Sequence, residues 1–297
     1  MTRPLSRRTA LGLAAALAPG LALAACGSGS SAPGGGSSAS GGTRTVRHAR
    51  GESTVPAGAS RVVALDTDAL DSVVSLGLGP VGATTVSEGA SFPAYLPAER
   101  LAGTKAVDVI GQPSLEAIAA LRPDLILSNQ VRDDKRYEQL SRVAPTALSK
   151  TTGPTRKENV RLHAEAMGRQ SEAGAADATY RTKLRDPVTT LGGPARAAAT
   201  RVEMARFLAG APTRLYLNDT FVGALLKDLG LGRPANQDKP GFSLEISPEQ
   251  ASSTRCTGPP LLVVVQRPRR QSRRWEDVPH LAARPPDAHR EHGRRLQ

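Results

Sequence analysis

The stretch RVVALDTDALDSVVSLGLGPVGATT, residues 61–85, decides the fold class of this chain. It contains a short β-branched strand (RVVALD), a helical segment with a polar start (TDALDSVVSLGL) and a second strand (GPVGATT). Helix and buried strand return in the same order in SLEAIAALRPDLILSN, residues 114–129, where Ser114 is in position to cap the helix. Strands alternating with helices predict a mostly parallel sheet with right-handed crossovers. We therefore expect an α/β fold.

The loops after these strands are the places where a ligand is expected, because open parallel sheets bind ligands outside the carboxyl ends of their strands. In this sequence those loops are 66–68, 86–95 and 128–133. The carboxylates of Asp66, Asp68 and Asp71 lie at the first loop, which lacks the glycine and the distal glutamate of a calcium loop. A helix-capping role is therefore favoured over a metal site.

A long helical stretch follows at residues 156–186, and a second α/β set begins at residues 201–210. A continuous helix of that length would extend about 45 Å, too long for the interior of one compact lobe. Gly168 and Gly174 each weaken it by about 1 kcal/mol relative to alanine. A bend or break near residues 168–174 is therefore expected.

The N-terminal segment predicts export. Basic residues precede an apolar run from Ala10 to Ala25 that is shorter than the roughly 20 residues of a membrane span but typical of a secretory signal. The segment LAACG, residues 23–27, resembles the bacterial lipoprotein box, in which the cysteine (here Cys26) is acylated, and a Gly/Ser linker continues to residue 44. The alternative is an ordinary signal peptide cleaved after Ala25. The Sec and twin-arginine routes both remain open.

Composition excludes several classes of function. The net charge of +12 divides into +3 for residues 1–25, +6 for residues 251–297 and +3 for the remainder, so the central part gives no support for nucleic-acid binding. Apart from Cys26 only Cys256 is present, which excludes a disulfide framework and a thiolate metal site. No nucleophile elbow, HExxH or P-loop indicates an enzyme.

Four segments together resemble the substrate-binding proteins of iron–siderophore ABC importers, a family that also contains haem and vitamin B12 binders. The likeness covers Thr45 to about Gln250, and it rests on RVVALDTDALDSVVSLGLGPVGATT, IGQPSLEAIAALRPDLILSN, KENVRLHAEAMGR and VEMARFLAGAPTRLYLNDTFVGALLKDLGLGRP. It implies two Rossmann-like lobes bridged by one long helix, with the ligand in the cleft between them. The implied boundaries are an N-terminal lobe at 45–154, a bridging helix at 155–186 and a partial C-terminal lobe at 187–250.

The same resemblance nominates functional residues. Glu116 and Glu249 correspond to the acids that dock each lobe onto the permease, although both would also complement a helix N-terminus. Arg206 corresponds to a strand-end arginine that meets ligand oxygens, and Tyr216 could add a stacking face and a hydroxyl. From the first lobe the expected contacts are Asn129, Arg132 and Phe92; for Arg132 a surface salt bridge is the alternative.

The expected function is capture of a ferric siderophore and its delivery to an ABC permease, by a monomer that needs no cofactor beyond the ferric complex. Few aromatic residues are present, and Arg156 stands where the family has tryptophan, which favours a hydroxamate or citrate-like complex. The alternatives are a haem or vitamin B12 binder, a tethered extracytoplasmic enzyme such as a hydrolase, and a redox or metal-handling lipoprotein.

The tail from residue 251 to 297 departs from this pattern, with ten Arg and six Pro in 47 residues. We expect it to be disordered, with the LLVVV segment at 261–265 too isolated to pair, and the second lobe to be incomplete. A reading-frame change near Ala251 would explain the composition; a basic tail that binds an anionic membrane is the alternative.

Overall fold

The computed structural model describes residues 42–207, 211–247 and 262–265. All of them belong to one unit of the chain, Ser40–Gln297. Its first part contains, in order, β1 (Thr43–His48), β2 (Gly51–Pro56), β3 (Val62–Ala64), α1 (Thr67–Ser75), β4 (Gly82–Thr85), α2 (Ala98–Leu101), β5 (Lys105–Val109), β6 (Gln112–Pro113), α3 (Leu115–Ala120), β7 (Leu125–Asn129), α4 (Gln130–Asp133), a 3₁₀ turn (Asp134–Arg136), α5 (Tyr137–Val143) and β8 (Thr146–Ser149).

The second part contains α6 (Arg156–Met167), α7 (Gln170–Thr190), α8 (Pro194–Ala199), β9 (Met204–Phe207), β10 (Thr213–Tyr216), α9 (Phe221–Asp228), β11 (Ser243–Ile246) and β12 (Leu262–Val265). In the described part of the chain no helix combines the length and the apolar character required to cross a membrane.

The first sheet has the strand order β6-β5-β4-β3-β7-β8. Its five longer strands pair in parallel, and only β6 is antiparallel. From β3 the chain proceeds through β4 and β5 on one side, then returns to place β7 and β8 on the other. The α/β prediction is confirmed, and the reversal creates a topological switch point between β3 and β7, where open α/β sheets bind ligands.

Burial on both faces explains why β3 and β7 occupy the centre of this sheet. Val62, Val63, Leu125 and Ile126 are all fully buried. Alternate residues of these strands join two separate apolar clusters, one on each face of the sheet. Helices cover both faces, so the carboxyl ends of the central strands are held on a rigid scaffold.

The predicted bridging helix at 155–186 is two helices, so the expectation of one long helix was wrong and the expected break is confirmed. Helix α6 ends at Met167, and Gly168 follows with the left-handed φ of 69°. Glycine adopts that conformation without steric cost and therefore ends a helix. Helix α7 then continues to Thr190, past the predicted end, and none of its residues is buried.

The second sheet has the order β11-β10-β9-β12. Strand β10 is antiparallel to both β9 and β11, while β12 is parallel to β9. The prediction that LLVVV cannot pair was therefore wrong: β9 leaves an edge free, and a short β-branched run can add to such an edge. Residues 248–261 and 266–297 lie outside the described residues.

Candidate ligand-binding site

The switch point of the first sheet brings Asp66, Asn129 and Arg132 together. Asn129, at the end of β7, caps α4 by accepting a hydrogen bond on Oδ1 from the backbone N–H of Arg132 at 3.1 Å. This turn directs the Arg132 side chain toward the end of β3. There its Nε donates to Oδ2 of Asp66 at 3.1 Å. The predicted capping role of Asp66 is confirmed, since its Oδ1 accepts from the N–H of Asp68 at 3.0 Å.

The ion pair between Arg132 and Asp66 is strongly asymmetric in burial. The side chain of Asp66 is 2% exposed, whereas that of Arg132 is 43% exposed. The salt bridge predicted as the alternative role of Arg132 is therefore present. The pairing also fixes one edge of the guanidinium, while the rest of the side chain reaches solvent at the strand ends. A planar cation presented in this way suits ligands with carboxylate or hydroxamate oxygens.

A second, fully buried carboxylate supports the same turn. Asp133 accepts a hydrogen bond from the hydroxyl of Ser128 and pairs with Nη1 of Arg136 at 3.5 Å. Burial raises the pKa of Asp133, and the contacts with Ser128 and Arg136 act in the opposite direction. The turn that carries Arg132 is thus anchored to the sheet by polar contacts rather than left as a free loop.

The aromatic residue that the loop at 86–95 exposes to solvent is not the predicted one. Phe92 is partly buried and packs against the apolar cluster beneath α1. Tyr95 is instead 69% exposed, and its hydroxyl donates to Oδ1 of Asp71 at 2.8 Å. The sequence contained one signal for Tyr95: unlike Phe92 it carries a hydroxyl, and a half-buried carboxylate such as Asp71 requires a hydrogen-bond donor.

On the second sheet, Arg206 of β9 lies directly opposite Arg214 of β10. Arg214 is neutralised by Glu245 on β11 at 2.8 Å. Arg206 Nε is buried without a hydrogen-bond partner among the described residues. Like charges directly opposite each other on one sheet face destabilise the pair, so this face would be stabilised by an anion. The cross-strand register of β9 and β10 was not predicted, and for that reason Arg214 was missed.

Tyr216 ends β10 and packs its ring edge-on against Phe242, with the ring centroids 5.7 Å apart. Phe242 is 58% exposed, so this aromatic pair reaches solvent. Of the predicted ligand-binding residues, Asn129 and Arg132 come together on the first sheet. Arg206 and Tyr216 lie on neighbouring strands of the second sheet, and Phe92 is partly buried against the core of the first.

A cavity of about 910 Å³ lies between α1, α6 and α7. Its lining includes Asp68, Tyr95, Arg156, Tyr180 and Phe221, but none of the five predicted ligand-binding residues. Burial, together with the nearby Asp66 and Asp71 carboxylates, raises the pKa of Asp68 to about 6, against a hydrogen bond from Asn159. Within the described residues no cluster of three or more His, Cys, Asp or Glu side chains could hold a metal ion.

The predicted docking acid of the first lobe, Glu116, is exposed in the first turn of α3. The expected cap is confirmed, since Ser114 Oγ accepts from the N–H of Ala117 at 3.2 Å. This position is compatible with both readings of Glu116, a contact for a partner and an acid at a helix N-terminus. Glu249 and Cys26 lie outside the described residues.

A family model and several known proteins match this chain. The family model described as periplasmic binding protein matches residues 62–284. A probable siderophore-binding lipoprotein of Bacillus subtilis, YfiY, is 35% identical over 218 residues, which are 73% of this chain. The Fe(3+) dicitrate-binding periplasmic protein FecB of Escherichia coli is 29% identical over 196 residues, or 64% of this chain.

Among solved structures, Staphylococcus aureus SirA complexed with staphyloferrin B superimposes with a TM-score of 0.66 and 29% identity. That superposition covers 75% of this chain and 77% of the other. The aligned regions span only 65% of YfiY and 62% of FecB, less than two thirds of these relatives. The family match continues to residue 284, beyond residue 250, where the likeness was expected to end.

Proposed function

The chain belongs to the periplasmic binding protein family, and on that basis we propose that it captures a ferric siderophore outside the cytoplasm and delivers it to an ABC importer. The observation that carries this proposal is the arginine at the switch point. Arg132 is held by the buried carboxylate of Asp66 and is still 43% exposed. Open α/β sheets bind their ligands at such a point. The family consists of binding proteins, so the alternatives of a tethered hydrolase and a redox lipoprotein are dropped.

The proposed ligand is a ferric complex rich in carboxylate or hydroxamate oxygens. Arg132 on the first sheet and Arg206 on the second supply planar cations for such oxygens. Tyr216 and its exposed neighbour Phe242 add an aromatic edge. The names of FecB and of the SirA complex connect the relatives with ferric dicitrate and staphyloferrin B. Asn129 contributes by orienting Arg132, whereas Phe92 supports the loop from the core.

We propose further that the protein is attached to the membrane and contacts the permease there. Acylation of Cys26 would hold the protein at the outer face of the cytoplasmic membrane, with residues 26–44 as a flexible tether. Glu116 and Glu249 would contact the permease, one from each lobe, and the protein would act as a monomer. The boundaries of those lobes, 45–154 and 187–250, remain predictions.

Equilibrium binding tests the function directly. The full chain is titrated with ferric citrate, ferric staphyloferrin B and a ferric desferrioxamine-type hydroxamate, followed by quenching of intrinsic fluorescence. Saturable binding of at least one of these complexes, with weaker binding of the iron-free ligand, is expected. Haem and vitamin B12 are the comparison ligands. Saturable binding of either of them, with no response to any ferric siderophore, would contradict the proposal.

A further inference from the structure

Three hydrogen-bond donors from two helices converge on one carboxylate, that of Asp228 at the end of α9. Lys157 Nζ lies 2.7 Å from Oδ1 of Asp228, and the hydroxyl of Tyr180 lies 2.7 Å from Oδ2. The guanidinium of Arg156 donates to the same Oδ2 and also contacts the hydroxyl of Tyr180. We call Arg156, Lys157, Tyr180 and Asp228 the Asp228 cluster.

The ion pair between Arg156 and Asp228 is largely shielded from solvent, whereas the side chain of Lys157 is 37% exposed. The side chains of Arg156 and Asp228 are only 13% and 20% exposed. The guanidinium of Arg156 also lies over the rings of Tyr180 and Phe221, at 4.7 Å and 5.5 Å from their centroids. Burial works against the charge of Asp228, but the hydrogen bonds from Lys157, Tyr180 and Arg156 outweigh it and lower its pKa. The carboxylate therefore stays ionised at neutral pH.

The cluster connects elements that belong to different sheets. Helix α6, which carries Arg156 and Lys157, is part of the first-sheet core, where Ala164 and Ala166 are buried. Helix α9 follows β10 of the second sheet after four residues. A Cβ built on Gly223 would lie 2.5 Å from the carbonyl oxygen of Asn218, so the first turn of α9 packs closely on the two-residue segment that follows β10. Movement of α9 would therefore carry the second sheet with it.

Apart from the cluster, the position of Asp228 in α9 does not favour an acidic residue. It is the last residue of α9, next to the negative end of the helix dipole, where a carboxylate destabilises the helix. The chain before α6 also approaches the start of α9 closely: a Cβ on Gly153 would lie 3.3 Å from the backbone nitrogen of Phe221. Glycine there allows the two segments to touch, whereas the charged cluster gives the contact a fixed direction.

We propose that Asp228 is a positioning residue: by accepting hydrogen bonds from α6 and α7 it fixes the orientation of the second sheet on the first, and so the distance between the arginine sites on the two sheets. The consequence for affinity rests on the function proposed above. The effect on orientation does not, because it is a property of the ligand-free chain.

The first test is hydrogen–deuterium exchange on the full, ligand-free chain. Asp228→Asn removes the negative charge at the helix end, which by itself would stabilise α9. If the cluster holds the sheets together, the amides of α9 and of the first turn of α6 exchange about tenfold faster or more, while β7 is unchanged. Slower or unaltered exchange in α9 would overturn the proposal.

The second test is a double-mutant cycle read by affinity for ferric citrate and ferric staphyloferrin B. Asp228→Ala is expected to weaken binding about tenfold and Tyr180→Phe about threefold. In the Asp228→Ala background, Tyr180→Phe should have a clearly smaller effect, since both changes remove the contact between hydroxyl and carboxylate and only the contact of the hydroxyl with Arg156 is left to lose. Additive effects would show that Asp228 acts independently of the cluster and would overturn the proposal.

Glu52→Gln is the matched control. It breaks an ion pair of similar length, 2.8 Å between Arg47 Nε and Glu52 Oε1, whose side chains are 87% and 49% exposed. Unchanged exchange in α9 and unchanged affinity are expected, and a loss equal to that of Asp228→Asn would contradict a specific role for the cluster. If the wild-type chain binds no ferric complex, the proposed function fails, and the exchange experiment alone decides on Asp228.

Discussion

Arg132 is the residue on which the binding proposal depends most. Its Nε is committed to the buried carboxylate of Asp66, which leaves the outer part of the guanidinium for a ligand. We predict that Arg132→Gln weakens binding of ferric citrate about tenfold to hundredfold, since a hydrogen bond to a charged group contributes about 1.5–3 kcal/mol. The affinity of Arg132→Lys for ferric citrate should lie between those of the wild type and Arg132→Gln, because lysine keeps the charge without the planar fork.

Titration calorimetry on the full chain measures this prediction. Arg142→Gln is the control, because Arg142 is an exposed arginine on α5, away from the switch point. Its affinity for ferric citrate should equal that of the wild type. Equal losses for Arg132→Gln and Arg142→Gln would mean that overall positive charge, and not the position of Arg132, attracts the ligand.

His163 makes the stability of the protein depend on pH. It is buried in α6 with no hydrogen-bond partner on either ring nitrogen among the described residues, and burial lowers its pKa from 6.5 to about 4. Because the folded-state pKa is the lower one, the unfolded chain takes up the proton first as the pH falls. The stability contribution is therefore complete above pH 6.5 and is lost between pH 6.5 and pH 4, by about 3 kcal/mol in all.

Urea unfolding at pH 7 and pH 4.5 isolates this contribution. We predict that His163→Leu reduces the fall in unfolding free energy between the two pH values by about 2–3 kcal/mol. The contribution of Asp68 to the pH dependence of the unfolding free energy has the opposite sign. Its pKa is raised to about 6, so the fold gains stability as this carboxyl is protonated. Asp68→Asn should therefore make the fall steeper. A pH dependence unchanged by His163→Leu would show that His163 is not the buried base.

At the scale of elements, the break between α6 and α7 is a property of one glycine. Gly168 has a φ of 69°, and a Cβ there would run into the guanidinium of Arg44. We predict that Gly168→Ala lowers the unfolding free energy by about 1–2 kcal/mol, the cost of left-handed backbone for a residue with a Cβ. Gly174, inside α7, has no heavy atom within 4 Å of a Cβ position, so Gly174→Ala should raise it by about 1 kcal/mol.

The two variants control each other, since both make the same chemical change in the same helical stretch. Thermal or urea unfolding of the full chain provides the measurement. If residues 156–186 formed one continuous helix, both substitutions would stabilise the protein equally. Opposite signs are expected only when the chain turns at Gly168.

Elements with a local cause could be predicted from the sequence, and those with a distant cause could not. The cap at Ser114 and the buried strand ending at Asn129 follow from neighbouring residues, and both are present. The strand at Leu262–Val265 depends on the free edge of β9, more than 50 residues earlier, and it was therefore missed. The exposure of α7 likewise depends on what packs against it, which its own sequence does not encode.

The same distinction holds for the whole molecule. The family resemblance suggested Asn129, Arg132 and Arg206 as site residues, and the first two also follow a predicted strand of the parallel sheet, where ligands are expected to bind. The partners of these residues come from long-range register: Asp66 lies 66 positions before Arg132, and Arg214 pairs with Arg206 across a hairpin. The Asp228 cluster joins helices 48 to 72 positions apart, and no local pattern indicates it.

Attachment to the membrane is a predicted property of the whole molecule that experiment can test directly. The LAACG segment at 23–27 resembles a lipoprotein box with Cys26 as its cysteine, and two or more acyl chains bind a bilayer stably where one does not. We predict that in a bacterial host with lipoprotein processing, Cys26→Ser moves the protein from the membrane pellet to the soluble fraction and abolishes incorporation of labelled palmitate. Cys256→Ser, the matched change at the other cysteine, should alter neither. Pelleting of the Cys26→Ser protein to the wild-type extent would show that something other than an acyl anchor, such as the ten arginines after residue 250, holds it at the membrane.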